Sequence, residues 1–119
     1  MANIYDKAHD FVAALVKEES YIKLKELSTK INNDGERFEK IRNYQIKQYE
    51  LYARNDSGEE IPETEVQAIK AEYESLLEDP EIKQLFEAEY AFGVLITDLY
   101  KIINDPIKEL APRGPADEE

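Results

Sequence analysis

His9 is the only histidine in a chain of 119 residues that contains no cysteine. With Asp6 three positions earlier it shares one helical face, the spacing of a two-residue metal chelate. A carboxylate-bridged di-metal bundle needs two Glu-x-x-His pairs and two further carboxylates, and tight zinc sites draw on several histidines or cysteines. The plainer reading is a solvated histidine near the start of a helix. The lack of cysteine also excludes disulfides, thiolate catalysis and cysteine-held metal. Glu59, Glu60, Glu63 and Glu65 could hold a hard cation weakly, but no Asp-x-Asp-x-Asp-Gly ladder accompanies them. They read as a solvated acidic rim. The sequence carries no P-loop, no dinucleotide glycine fingerprint and no nucleophile elbow. No catalytic, cofactor-binding or metal residue is expected, and no enzyme.

Glu89 is the acid that matters, because it interrupts an apolar row. A carboxylate in such a place is costly unless it is paired. Arg42 and Gln45 are its candidate partners, and a buried Glu89–Arg42 pair is the expectation. Loss of that pair in Glu89→Ala should lower the melting temperature. A catalytic role would need a raised pKa and a second acid or base nearby, and none is evident. Gly93 in the same row suggests a close helix–helix approach.

The element that positions these residues runs from Asp79 to about Asn104. Asp79-Pro80 offers a cap and a first-turn proline. Leu85, Ala88, Phe92, Leu95, Leu99 and Ile102 then recur at alternating spacings of three and four. Phe86, Glu89, Gly93, Ile96, Tyr100 and Ile103 form a second row beside them. At 1.5 Å per residue this helix is about 39 Å long, more than a compact core of this size needs. The surplus, with the tyrosines at 44, 49 and 52, points to a partner surface. Leu85, Phe92, Leu95, Leu99, Tyr44 and Tyr52 are the candidate interface residues.

Four shorter helices precede it. Asn3 caps the first, whose face is Ile4, Ala8, Phe11 and Leu15. Ser20 is placed as the cap of the second, with Leu24, Leu27 and Ile31 inward. The Asn32–Gly35 turn leads to a third, about Glu36 to Arg54, with Phe38, Ile41, Tyr44, Gln45, Gln48 and Tyr52 on one side. After the Asn55–Glu60 loop, a fourth starts at Pro62 or at a Thr64 cap and turns Val66, Ile69, Tyr73, Leu76 and Leu77 inward. Asp105-Pro106 should end or bend the last helix, with Ile107 and Leu110 packing back. Residues 1–110 form a single helical domain, and the acid- and proline-rich segment 111–119 is expected to be disordered.

Charge narrows the function further. With 27 acids against 15 bases the formal charge is −12. That repels phosphate backbones and anionic membranes alike, so neither nucleic acid nor a membrane is an expected direct partner. The N-terminus lacks a basic and apolar leader, no apolar run approaches a membrane span, and a cytoplasmic location is expected.

The segments NIYDKAHDF, EESYIKLKEL, FEKIRNYQ and AEYAFGVLITDLYKIINDPIKEL together resemble the YlbF/YmcA-like family of small bacterial helical proteins, and most of all its YheA-type branch. The resemblance spans Asn3 to Leu110. It implies an all-α fold of about five helices, a long antiparallel helical bundle with a long C-terminal central helix that dimerises, in a low-GC Gram-positive cytoplasm. Better-understood members act as non-enzymatic partners in complexes supporting competence, sporulation and biofilm formation, through ribonuclease-linked mRNA processing. Those complexes are tied to iron–sulfur clusters held by cysteines, which this chain lacks. The expectation is a homo-oligomeric regulatory adaptor that docks another cytoplasmic protein. The alternatives are a direct RNA-associated regulator and a metal-dependent enzyme using surface carboxylates.

Overall fold

The computed structural model describes residues 3–112, which form five helices: α1 (Ile4–Leu15), α2 (Glu19–Asn32), α3 (Gly35–Asp56), α4 (Glu63–Leu76) and α5 (Pro80–Lys108). Local chemistry accounts for most of the ends. Asn3 Oδ1 accepts the Asp6 amide at 3.0 Å, and Asp34 Oδ1 accepts that of Arg37 at 3.3 Å. Asp79 Oδ1 accepts the Glu81 amide at 3.0 Å with Pro80 in the first turn. Each cap satisfies a donor that the first helical turn leaves unpaired. At the end of α3 the Glu59 amide donates to the Arg54 carbonyl and the Gly58 amide to that of Asn55. This is a Schellman closure, and it places Gly58 at φ +92°, where a side chain is strained.

Three boundaries differ from the sequence reading. The amides of Lys17 and Glu18 bond back to Ala14 and Leu15. Glu18 therefore becomes the extended residue before α2, and Ser20 lies inside the helix rather than capping it. Pro62 is the residue before α4, its carbonyl accepting from the amides of Glu65 and Val66, and Thr64 is helical. Pro106 does not end the last helix, which continues to Lys108. Ile107 and Leu110 do not pack back, and both are exposed.

The core is small and sits at one end. Ile31, Ile41, Tyr44, Leu76, Ile82 and Leu85 form one buried cluster, with Leu24, Leu27, Ile69 and Phe86 packed at its margin. Ile82 is 1% exposed. It lies one turn before Phe86, in line with the second row of α5, and extends that row into the core. A charge cluster clasps this end. Arg37 Nε donates to Asp79 Oδ2 at 2.8 Å, its Nη2 to Oδ1 at 3.1 Å and its Nη1 to Glu81 Oε1 at 3.0 Å. Lys30 reaches the other Glu81 oxygen at 2.7 Å. The start of α5 is thereby tied to α2 and α3. Arg54 joins Glu59 and Glu65, which explains two acids of the supposed rim.

Away from that end the chain is spread thin. Its principal extents are 55 × 41 × 18 Å and its radius of gyration is 19.2 Å, against about 13.5 Å for a compact chain of this length. α1 buries no residue. α2 has 14 residues and α5 has 29, so α2, about 21 Å long, flanks only half of an α5 of about 43 Å. Tyr21 near the start of α2 meets Phe92 at a ring separation of 5.9 Å. Past that contact α5 runs on largely uncovered.

A candidate interaction surface

The seam of α5 changes role along its length. Leu85, 6% exposed, and Ala88 are core. Phe92, Leu95 and Leu99 are half-buried, and Ile102 is 68% exposed. The second row behaves alike: Phe86 and Ile96 are half-buried, whereas Tyr100 and Ile103 are exposed. Phe11 and Val12 on α1 and Val16 after it are exposed as well. Two amphipathic arms, α1 and the far half of α5, thus carry apolar faces that the other described residues do not cover.

The candidate interface residues therefore divide. Phe92, Leu95 and Leu99 lie where a partner can reach them. Leu85 does not, because it belongs to the part of α5 packed on α2 and α3. Tyr44, 7% exposed, is also core, its ring 5.7 Å from that of Tyr73; burial pushes its hydroxyl pKa up. Tyr52, 72% exposed, is free to meet a partner.

The expected buried Glu89–Arg42 pair is not formed. Arg42 extends along its own helix to Glu39, 3.8 Å away, and among the described residues no ion-pair partner lies within 4.0 Å of Glu89. Glu89 is exposed as a whole residue, yet partial burial against apolar neighbours raises its carboxyl pKa. The two residues face one groove between α2, α3 and α5, of about 480 Å³, lined also by Leu24, Phe38, Ile41 and Leu85. At Glu89 and Gln45 this groove opens into a smaller cleft of about 210 Å³ with Tyr44, Gln48, Tyr73 and Phe86 on its walls. The Tyr73 and Phe86 rings are parallel at 5.7 Å. A Cβ placed on Gly93 meets nothing within 4 Å, so the expected close approach does not occur among the described residues.

His9 and Asp6 are exposed on α1, and among the described residues no group of three or more metal-ligating side chains comes together. No described helix is long and apolar enough to cross a membrane. What the fold presents is an all-helical scaffold with exposed apolar arms and a groove holding an unpartnered carboxylate.

Comparison with known proteins is consistent with that description. The sequence matches the family described as "Control of competence regulator ComK, YlbF/YmcA" over residues 4–108. The chain belongs to this family. It is 34% identical over 108 residues to the UPF0342 protein YheA of Bacillus subtilis, covering 91% of this chain and 92% of that one. A UPF0342 protein of Alkalihalophilus pseudofirmus is 33% identical over 110 residues, covering 92% and 93% respectively. Among solved structures, a protein of unknown function (DUF964) from Bacillus stearothermophilus superposes with a TM-score of 0.73 at 18% identity, over 90% of this chain and 94% of that one. That likeness shows the fold alone. The family is associated with a regulator and is not a known enzyme family.

Proposed function

We propose that this protein is a non-enzymatic, homo-oligomeric adaptor of the bacterial cytoplasm, acting through protein–protein contacts in the kind of regulation for which its family is named. The observation that carries the reading is surface area. The chain exposes 9789 Å², whereas a folded monomer of its 13.8 kDa exposes about 6,600 Å². The excess is about 3,000 Å² on each chain, enough to supply an obligate interface, which buries about 2,000–5,000 Å² over both partners. A monomer of this shape would leave both arms wet. A second copy that laid α1 and the far half of α5 against their equivalents would cover them, leaving the groove and the Tyr52 side of α3 for another protein. Sequestered basic groups also favour protein over nucleic acid as the partner: Lys30, Arg37, Lys40, Lys47 and Arg54 all lie against carboxylates.

The test is sedimentation equilibrium of the purified chain, followed by affinity purification from its own cells with mass spectrometry. A mass of at least two chains and stoichiometric recovery of a regulatory or RNA-processing protein are expected. A 13.8 kDa monomer at micromolar concentration would remove the oligomeric part of the reading. Direct retention of RNA on filters at low salt would replace the adaptor with an RNA binder.

A further inference from the structure

Glu89 is an exposed residue whose carboxylate has no ion-pair partner among the described residues. It stands where the apolar groove of α2, α3 and α5 meets the aromatic cleft, its carboxyl is partly shielded from water, and no basic side chain of the described residues reaches it. Positions at which a local rule is broken without compensation are where function is to be sought. The cleft, at about 210 Å³, is smaller than the roughly 300–1,000 Å³ of small-molecule sites. It is the size of a side-chain head, not of a cofactor. Its walls are aromatic, with Tyr73 and Phe86 parallel and Tyr44 tilted by 36° against Tyr73, and such faces attract cations. The charged groups facing the groove are Glu89 from α5 and Arg42 from α3, the latter turned toward Glu39. Glu89 is the one ionised group shared with the cleft.

We infer that this groove docks an amphipathic helix of a partner protein, whose leucine-like side chains lie along Leu24 and Phe38 while one arginine enters the cleft beside Glu89. A guanidinium suits the site better than an ammonium, because it is planar, weakly hydrated and stacks on aromatic rings. The net charge of −12 adds a long-range attraction for a basic segment. The inference rests on the reading of the chain as an interaction protein and names the chemistry of what it holds.

The probe is a pair of helical peptides with leucines at i, i+3, i+4 and i+7 and a single central residue on that face, arginine in one and its neutral isostere citrulline in the other. Binding is read by calorimetry on the full chain and on Glu89→Gln, with nuclear magnetic resonance of the Tyr44 and Tyr73 ring signals. Circular dichroism checks that the variant stays folded. The arginine peptide is expected to bind wild type at least about tenfold tighter than its twin, as a charge-assisted hydrogen bond implies. That preference should vanish in Glu89→Gln, and the tyrosine shifts with it. Equal binding of the twins to wild type overturns the arginine assignment, as does a preference that survives Glu89→Gln. Binding of neither peptide overturns the groove as a docking site, including the case in which a second copy fills it. Sedimentation of the same samples separates these failures from failure of the oligomeric adaptor, since a dimer that binds no peptide refutes this inference alone.

Discussion

Ile102→Glu distinguishes a self-associating chain from a thin monomer more sharply than any change nearer the core. Ile102 sits on the seam of α5 at 68% exposure, so the single chain has almost nothing to lose there. In a monomer the change should fall within about ±0.5 kcal/mol, as surface substitutions do, with glutamate at least as good a helix former as isoleucine. If the arms meet their equivalents, each copy forfeits the burial of one isoleucine, about 1.5–3 kcal/mol. A two-fold interface counts the loss twice. About 3–6 kcal/mol per dimer corresponds to a dissociation constant raised about 10²- to 10⁴-fold, before any cost of burying the new carboxylate. Sedimentation equilibrium across the micromolar range measures it directly. Thermal unfolding adds an independent check, because a hundredfold dilution of an obligate dimer removes about 2.7 kcal/mol. For a dimer of two such chains that lowers the midpoint by about 5–10 °C. An Ile102→Glu protein with wild-type mass and an unshifted midpoint would refute the placement of the interface. A wild-type midpoint independent of concentration would refute the interface itself.

Four further outcomes are expected. Ile82→Ala should cost about 2–5 kcal/mol in urea unfolding, because Ile82 is 1% exposed at the centre of the small cluster; a loss below about 1 kcal/mol would mean the cluster is not the core. Partial burial pushes the Asp79 carboxyl up, but its bonds to Arg37 and to backbone amides hold it below the usual range, and Lys30 with Arg37 does the same for Glu81. Both acids thus bind fewer protons folded than unfolded, so their contribution is full above the ordinary carboxylate values of 3.8 and 4.5 and fades as pH falls through the lowered ones. Arg37→Gln should therefore be less stable than wild type at pH 7, with the gap closing in acid; a pH-independent gap would contradict the pairing. Glu89 has the opposite sign: burial raises its pKa, so its charge opposes folding at pH 7. Glu89→Gln should melt no lower than wild type at pH 7, with any advantage shrinking as pH falls below the carboxylate range, and a clear drop at pH 7 would reveal a partner for the carboxylate. Gly58→Ala should cost about 1 kcal/mol by chemical denaturation, because Gly58 holds φ +92° in the α3 closure.

Helix number and type, the aspartate and asparagine caps of α1 and α5, and the apolar seam were all legible in the residues. Each depends on neighbours within one or two turns, and caps and periodicity report such local effects faithfully. The Ser20 cap failed for a local reason too: the turn leaving α1 uses Lys17 and Glu18 first. The resemblance to known relatives supplied the five-helix fold over nearly the whole chain, a kind of information that periodicity does not contain.

Which part of that seam is core and which is open could not be read from spacing, since Ala88 and Ile102 occupy equivalent positions in the repeat, two heptads apart, yet one is 4% and the other 68% exposed. The difference arises because α2 is half as long as α5 and covers one end of it. The same non-local packing buried Tyr44 and left Tyr52 wet, although both lie on α3. It also brought Arg37 to Asp79 and Glu81 across more than forty residues, a clasp without a sequence signal. Arg42 was legible as a cation near Glu89, yet a rotation of its side chain toward Glu39 left the carboxylate alone. Short-range order along this chain follows from residue type and spacing. Exposure, pairing and the candidate site follow from helix lengths and the contacts between helices, because burial is a property of what lies opposite a residue in space.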